Sequence, residues 1–188
     1  MIQQIKNTIG KFQLKRFVKN SKSKGKPRFT NLNSALSIGL VFTAENETDL
    51  TLINKFYKKL SVEEGIQKVN VIGFIPEKEL PDSTKRFPEL NFFCLQDLKF
   101  WLEPQPAAID GFTKYQYDIL MNLNLHKSLV IDWVIASTKA KLTTGKRGAS
   151  QLIQPDLIID LSGSESLPLL IEQTIHFTKM INPKNSSV

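Results

Sequence analysis

Cysteine and histidine are scarce in this 188-residue chain, and their scarcity limits the chemistry available to it. The single cysteine, Cys94, excludes an intrachain disulfide and any zinc site built from several cysteines. The two histidines, His126 and His176, are too few for a His-rich metal site. We therefore expect no metal and no other cofactor, and a reducing compartment.

Long hydrophobic runs are also missing. The most apolar stretch, Leu129 to Ala136, is interrupted by Asp132 and is far shorter than the ~20 residues that a membrane-spanning helix requires. The amino-terminal segment lacks the uninterrupted apolar centre of a secretory signal. Both observations predict a cytoplasmic protein.

The motifs of common nucleotide-binding and hydrolytic enzymes are absent from the sequence. There is no Gly-x-Gly-x-x-Gly fingerprint, no phosphate loop ending in Gly-Lys-Ser/Thr and no Gly-x-Ser-x-Gly elbow. The stretch Gly145-Lys146-Arg147-Gly148 is basic, but it lacks the strand–loop–helix context of a phosphate cradle. These absences favour a function other than catalysis.

Negative charge is missing from the start of the chain, because the first acidic residue is Glu45. Nine lysines and arginines precede it, whereas the rest of the chain has 16 basic and 18 acidic residues. The net charge of +7 therefore belongs to an amino-terminal arm. Such an asymmetry is typical of proteins that bind nucleic acid or an anionic membrane surface.

The arm has a helical part and a polar part. Apolar residues at Ile2, Ile5, Ile9 and Phe12 recur at helical spacing, which places them on one face of a helix. Leu14, Phe17 and Val18 widen or shift this stripe, and Gly10 weakens the helix relative to alanine. The segment 20–27 that follows has nothing apolar to bury. Three interpretations remain open: the lysines bind nucleic-acid phosphates, the apolar stripe lies on an anionic bilayer, or the stripe packs on the rest of the chain.

We favour phosphate binding for two reasons. Five of the nine charges lie at or beyond the end of the apolar stripe, and the stripe lacks tryptophan, which usually anchors membrane-surface helices. The predicted nucleic-acid-binding residues are Lys6, Lys11, Lys15, Arg16, Lys19, Lys22, Lys24, Lys26 and Arg28, with Lys146 and Arg147 extending the basic surface.

Strands and helices alternate beyond the arm. Apolar runs predict strands over 37–44, 69–75, 117–123 and 156–161, with short extended segments at 91–95 and 141–144. Helical spacing predicts helices over about 46–60, 128–140 and 167–181, and in the last of these Phe177 is expected to face inward. The segment 76–114 gives no clear pattern.

The alternation predicts an α/β protein. We expect a single three-layer Rossmann-like domain with a mostly parallel sheet, preceded by a basic amphipathic N-terminal helix. The expected divisions are an arm over 1–30, the α/β domain over 31–182 and a polar tail over 183–188.

Sheets of this kind bind ligands at the carboxyl ends of their strands, where polar residues here precede helix N-termini. The same residue types are the ordinary caps of helices, which is the simpler explanation. His126 is the best-placed general base, and only Asp160 offers it a partner. The possible ligand pocket comprises Thr43, Asn46, Asn122, Asn124, His126, Asp160, Ser162 and Ser164.

Several core segments together resemble a known family. They are Ser37-Ile38-Gly39-Leu40-Val41-Phe42, Tyr117-Asp118-Ile119-Leu120, Ser137-Thr138-Lys139-Ala140-Lys141 with Gly145-Lys146, and Asp156-Leu157-Ile158-Ile159-Asp160. With them, the chain from about Asn31 to Asn182 resembles an uncharacterised Bacteroidetes family described as a domain of unknown function. The resemblance implies a Rossmann-like body with a basic leader. It implies nothing about activity, because the family has no assigned activity.

The sequence thus predicts a non-enzymatic RNA-binding protein, ribosome-associated, that docks on structured RNA through its basic arm. Ribosomal or other proteins are further expected partners. Two alternatives stay open: a peripheral module that uses the same arm on an anionic membrane surface, and a small-molecule enzyme with its site at the strand carboxyl ends.

Overall fold

The computed structural model describes residues 2–21, 30–161, 163 and 165–182. Within them, six strands form one sheet: β1 (Ser37–Thr43), β2 (Lys68–Phe74), β3 (Asn91–Phe93), β4 (Gln116–Asn122), β5 (Lys139–Lys146) and β6 (Leu157–Ile159). The α-helices of the described residues are α1 (Ile2–Asn20), α2 (Glu47–Lys58), α3 (Pro106–Thr113), α4 (Leu129–Ser137) and α5 (Leu167–Met180).

All neighbouring strands of the sheet are parallel, and their order is β3-β2-β1-β4-β5-β6. The order reverses between β1 and β4, as in doubly wound Rossmann folds. The predicted Rossmann-like α/β domain is therefore confirmed, and its sheet is wholly parallel.

Helices cover both faces of the sheet because alternate residues of the central strand face opposite ways. Leu40 and Phe42 of β1 belong to the core beneath α2 and α5. Val41, between them, belongs to the core beneath α3 and α4. Both faces of β1 are thus apolar and buried, which explains its nearly continuous hydrophobic sequence.

Two predicted boundaries were wrong. The helix predicted over 128–140 ends at Ser137, because Thr138 takes an extended conformation and its hydroxyl donates a 2.7 Å hydrogen bond to the Val134 carbonyl. The chain then enters β5, which begins at Lys139 and is longer than the extended segment predicted at 141–144. The continuous apolar sequence of α4 hid this change of structure.

Two further features differ from expectation. The uninterpreted segment 76–114 contains α3, which begins at Pro106, a residue suited to the first turn of a helix. Phe177 of α5, expected to face inward, is exposed. None of the described helices has the length and apolar character needed to cross a membrane.

Candidate functional site

Helix α1 packs on the outer side of α4 and adds a layer beyond the three of the domain. Its contact face is formed by Gly10 and the fully buried Leu14. Leu14 packs with Leu129 and Trp133 of α4. The helix is therefore held against the domain by apolar contacts rather than displayed on a free arm.

Gly10 permits the closest approach of α1 to the domain. A Cβ atom at this position would overlap the carbonyl oxygen of Trp101 and lie 2.8 Å from the Leu129 methyl carbon Cδ2. Only glycine leaves room for that backbone contact. Docking thus explains why Gly10 stands within α1, although glycine weakens a helix by ~1 kcal/mol relative to alanine.

The seat of α1, which we define as Trp101, Leu129, Trp133 and Leu152, joins three parts of the chain. The Phe17 ring packs against the Trp133 ring with a centroid separation of 5.4 Å. Leu152 belongs to the loop after β5, and its N–H donates to Asp132 of α4 at 3.2 Å. The seat is therefore tied to the core of the domain.

Four of the five cations of α1 face away from this seat, and only Lys6, four residues before Gly10, lies on its side of the helix. Lys11, Lys15 and Lys19 follow one another at four-residue intervals, so they form a row along the helix with a rise of about 6 Å per step. Arg16 is likewise exposed, and Lys6 is half-buried. We call the row Lys11–Lys15–Lys19 the lysine ridge.

The charges of α1 are not neutralised within the described part of the chain. All ion pairs among the described residues use lysines and arginines of the domain, and none uses a cation of α1. No acidic residue occurs within α1 itself. The helix is consequently a localised source of positive potential.

The apolar stripe predicted on α1 exists but does not pack on the domain. Ile2, Ile5, Ile9 and Phe12 share one face and are all exposed, with Ile2 at 68% and Phe12 at 64%. The structure thus shows α1 packed on the rest of the chain with lysines left in solvent, but Leu14 and Phe17, beside the stripe, make the contact rather than these four residues. We call these four residues the apolar ridge.

Not all predicted basic residues fall in the same place. Lys22, Lys24, Lys26 and Arg28 lie outside the described residues. Lys146 has a largely buried side chain that pairs with Glu165 at 2.7 Å and donates to the Leu125 carbonyl at 3.1 Å.

Arg147 pairs with Asp160 at 2.8 Å, and with Lys146 it lines a cavity of about 380 Å³ beside the loop after β5. Both predicted extensions of the basic surface are thus ion-paired.

The predicted ligand pocket is formed in part. Thr43, Asn46, Asn124 and His126 line a cavity of about 350 Å³ at the carboxyl ends of β1 and β4. This is the point at which the strand order reverses, where such sheets bind ligands. Ser162 and Ser164 lie outside the described residues.

Two buried asparagines at this edge of the sheet are engaged in holding the fold, whereas Thr43 Oγ1 is buried and has no hydrogen-bond partner among the described residues. The Asn124 side chain accepts a 2.9 Å hydrogen bond from the Thr43 N–H and donates one of 2.6 Å to Asn122 Oδ1. Asn122 and Asn124 are both buried. They join the ends of β1 and β4 rather than presenting groups to a ligand.

The start of α2 is already occupied by side chains of the chain itself. Asn46 caps the helix by accepting from the Asp49 N–H at 3.0 Å, and Asp49 accepts from the Glu45 N–H at 3.1 Å. Glu47 adds another carboxylate and pairs with Arg86. An anion would therefore meet acidic groups here, which excludes the usual phosphate position of this fold.

His126 does not obtain the partner that a general base requires. Asp160, the expected partner, is paired with Arg147, and His126 is exposed on the loop after β4. The described structure contains no hydrogen bond between His126 and Asp160, so it does not add a catalytic pair to the candidate pocket. The described residues also hold no cluster of three or more His, Cys, Asp or Glu side chains suited to a metal.

Asn124→Ala is expected to lower the free energy of unfolding by about 2 kcal/mol, because it leaves the Thr43 N–H without a partner and leaves Asn122 Oδ1 with only the 3.2 Å hydrogen bond from the Asn124 N–H. Urea denaturation measures the change. Replacement of the exposed Asn182 by alanine serves as the control and should change stability by less than about 0.5 kcal/mol. Equal effects of the two replacements would contradict the bridging role of Asn124.

Sequence reasoning missed three residues that the structure makes important. Gly10 was interpreted only as a weak point of the helix, and Asp132 only as an interruption of an apolar run. Phe100 lay in the uninterpreted segment, yet it is exposed and the Lys6 Nζ lies 5.2 Å from its ring centroid. A glycine within an amphipathic helix was the available signal for Gly10.

Comparison with known proteins gives a family but no activity. No curated protein and no solved structure matches the chain. The model of a family of unknown function, DUF6913, matches residues 6–181, which include most of α1 as well as the domain. The seat, the lysine ridge and the sheet therefore fall within one matched unit, and the chain belongs to the DUF6913 family of unknown function.

Proposed function

We propose that the protein binds structured RNA through helix α1 without catalysing a reaction, and that it does so in association with the ribosome in the cytoplasm. The observation that supports this most strongly is the lysine ridge, which is exposed, has no ion-pair partner among the described residues and is held on a docked helix. A Bacteroidetes origin belongs to the same proposal.

Docking gives the ridge a fixed geometry. Because Leu14 and Gly10 hold α1 on its seat, the lysines are displayed on one side of a rigid helix. A phosphate backbone that follows the ridge then loses less of its binding energy to ordering the protein. The first function of the seat is therefore to preorganise the cations.

The distribution of charge also supports phosphate binding. The domain beyond the first 44 residues has 16 basic and 18 acidic residues and is nearly neutral. Long-range attraction of an anion is thus directed to the amino-terminal region. The alternative of an enzyme receives less support, since Asn122 and Asn124 at the strand ends are engaged with each other and with β1.

Replacing Lys11, Lys15 and Lys19 together by glutamine is expected to weaken RNA binding and to reduce its salt dependence. For wild type, log affinity should fall with log salt at a slope of about −5. In the triple variant this slope should be less steep by about 2–3 units. Fluorescence anisotropy of a labelled RNA hairpin at several salt concentrations measures both quantities.

A matched triple variant separates the ridge from general charge. Lys55, Lys58 and Lys59 lie exposed on and just after α2, on the opposite side of the sheet, so their replacement by glutamine removes the same charge. We expect this control to keep the wild-type slope within about one unit. A flat salt response of wild type, or equal losses in the two triples, would overturn the proposal.

The apolar ridge supports a second candidate function on an anionic membrane surface. Four large apolar side chains beside lysines would enter the interface while the lysines meet anionic headgroups. Flotation with vesicles of phosphatidylserine and phosphatidylcholine tests this candidate. Replacement of Ile5 and Ile9 by serine should abolish flotation if it is correct and leave RNA binding intact if it is not.

Sedimentation of tagged full-length protein from lysate tests the ribosomal setting. Wild type should travel with ribosomal particles at low salt, and the lysine-ridge triple should remain near the top of the gradient. The α2 triple should sediment like wild type, since its charges lie away from the ridge.

A further inference from the structure

The two most exposed aromatic rings of the described residues lie on α1 and on the turn beside it. Phe12, on α1, is 64% exposed, and Phe100, beside α1, is 55% exposed. We propose that these rings stack on unpaired nucleotides, so that the protein recognises single-stranded segments of RNA rather than the double helix. This inference rests on the proposed function and names the form of RNA that the same surface takes.

Each of the two rings has cations next to it. Lys15 and Arg16 follow Phe12 by three and four residues, so they are its neighbours on the helix surface. The Lys6 ammonium lies over the Phe100 ring, 5.2 Å from the centroid. The surface therefore combines flat apolar faces for bases with positive charges for the adjoining phosphates, as in proteins that bind single strands.

Phe100 is held outward by a turn that is fixed at both ends. The Leu102 N–H donates to the Lys99 carbonyl at 2.9 Å, and the Lys99 N–H donates to the Glu103 carbonyl at 2.8 Å. Within this turn the Trp101 side chain packs on the seat and donates to Glu103 at 2.7 Å. One aromatic residue of the turn thus holds α1, while its neighbour Phe100 faces solvent.

Leu102 shows that this turn is maintained at an energetic cost. Its φ of 66° lies in the left-handed region, which a leucine rarely adopts. Such backbone strain persists only where the surrounding contacts impose it, and it is concentrated at binding surfaces. The strain supports a role for the turn in presenting Phe100.

Stacking explains why the ring and the lysine lie together. A base that approaches the covered face of Phe100 takes the place of the Lys6 ammonium, which can then pair with the phosphate of the same strand. In a double helix the faces of the bases are covered by their neighbours, so these rings have nothing to stack on. Loops, bulges and single strands offer the required bases.

The experiment compares full-length protein on three short labelled RNAs of equal length: a single strand, its duplex, and a strand whose residues lack bases. We expect wild type to prefer the single strand. Phe12→Leu and Phe100→Leu should each weaken binding to it by about tenfold, because leucine keeps apolar contact but cannot stack. Their binding to the duplex and to the abasic strand should change by less than about twofold.

Two controls accompany the leucine variants. Phe177→Leu removes another exposed ring, on α5, and should bind all three RNAs like wild type. Phe12→Trp and Phe100→Trp should restore the preference for the single strand, since both keep a stacking surface. All changes are at exposed positions, and a thermal melt verifies that each variant is folded.

The outcomes distinguish this inference from the proposed function. If the leucine variants bind the single strand like wild type while the lysine-ridge triple still binds weakly, the stacking role is wrong and RNA binding stands. If wild type prefers the duplex, the inference is also wrong. If wild type binds none of the RNAs, or the leucine variants affect only vesicle flotation, the proposed function and this inference fail together.

Discussion

Gly10→Ala is expected to release α1 from its seat and to lower the free energy of unfolding by about 2–4 kcal/mol, the scale of losing a buried leucine from a core. The added methyl group overlaps the Trp101 carbonyl oxygen, and a backbone atom cannot move aside as a side chain can. Alanine favours an isolated helix by ~1 kcal/mol over glycine, so the expected sign depends on docking and opposes helix propensity.

The protein's two tryptophans report this release directly. Both Trp101 and Trp133 belong to the seat, and Trp133 is only 4% exposed while Leu14 and Phe17 cover it. When α1 leaves, tryptophan emission should shift to longer wavelength and acrylamide should quench it more strongly. Urea denaturation followed by circular dichroism gives the change in stability.

Gly111→Ala is the matched control. Gly111 also lies within a helix, α3, but a Cβ there meets no atom within 4 Å. This replacement should stabilise the protein by up to ~1 kcal/mol and leave tryptophan emission unchanged. If Gly10→Ala behaves in the same way, α1 is not held by close backbone approach.

Release of α1 by Gly10→Ala also distinguishes the effect of the number of charges on RNA binding from the effect of their fixed position. Gly10→Ala keeps every lysine, so the salt slope of RNA binding should stay near the wild-type value. Affinity should nevertheless fall, by about tenfold, because a detached helix must be ordered again on binding. Unchanged affinity would mean that the lysine ridge acts without the seat.

The domain was predictable from sequence because its strands are buried on both faces. β1 and β4 appear as continuous apolar runs, and both lie in the middle of the sheet. Where a boundary depended on a single backbone change, as at Thr138, the apolar pattern continued across it and gave no signal. Alternation of strands and helices then fixed the parallel architecture, although not the strand order.

The surface of α1 was predictable in composition but not in orientation. Helical spacing correctly grouped Ile2, Ile5, Ile9 and Phe12 on one face but left open what this face contacts, and the structure packs Gly10 and Leu14 on the domain instead. Close approach at a glycine outweighs the larger apolar area, because the seat includes a backbone carbonyl that no larger residue would clear. Spacing along one helix contains no information about such a partner.

For the strand-end polar residues, the sequence predicted the position correctly but not the hydrogen bonds. Sequence placed Asn122 and Asn124 at the ligand-binding edge of the sheet, and they are there. Their hydrogen bonds to each other and to β1 could not be inferred, because the pairing of β4 with β1 is a property of the topology. The same side chains that suggest a ligand site therefore join two strands.

Asp132→Ala is expected to lower the free energy of unfolding by about 3 kcal/mol, because the Asp132 carboxylate holds the loop that completes the seat of α1. Asp132 is fully buried and accepts from the Gln151 and Leu152 N–H groups at 2.9 and 3.2 Å. Without it the Gln151 N–H loses its partner, the Leu152 N–H keeps only a 3.3 Å hydrogen bond to Ser150 Oγ, and Leu152 is held less firmly in the seat. Urea denaturation measures the loss, and tryptophan emission should shift as it does for Gly10→Ala.

Asp132 also predicts the direction of a pH effect. Burial raises the pKa of its carboxyl, against hydrogen bonds from Ser150, Gln151 and Leu152 that lower it. The folded state therefore prefers the protonated acid, and this contribution to stability is fully present below the ordinary aspartate pKa of about 4. It is lost as the pH rises through the higher pKa of the folded state, and Asp132→Asn should abolish that loss.

Asp118 provides a control of opposite sign at another buried carboxylate. Its burial raises the pKa, but hydrogen bonds from Lys141 and from the Leu36 and Ser37 N–H groups outweigh burial and lower the pKa overall. Its contribution is present above the ordinary pKa and is lost as the pH falls through the folded value. The stability difference between wild type and Asp132→Asn should thus fall with rising pH, and that between wild type and Asp118→Asn should rise. If both stability differences changed with pH in the same direction, burial would not be the main cause of the shifted pKa of Asp132.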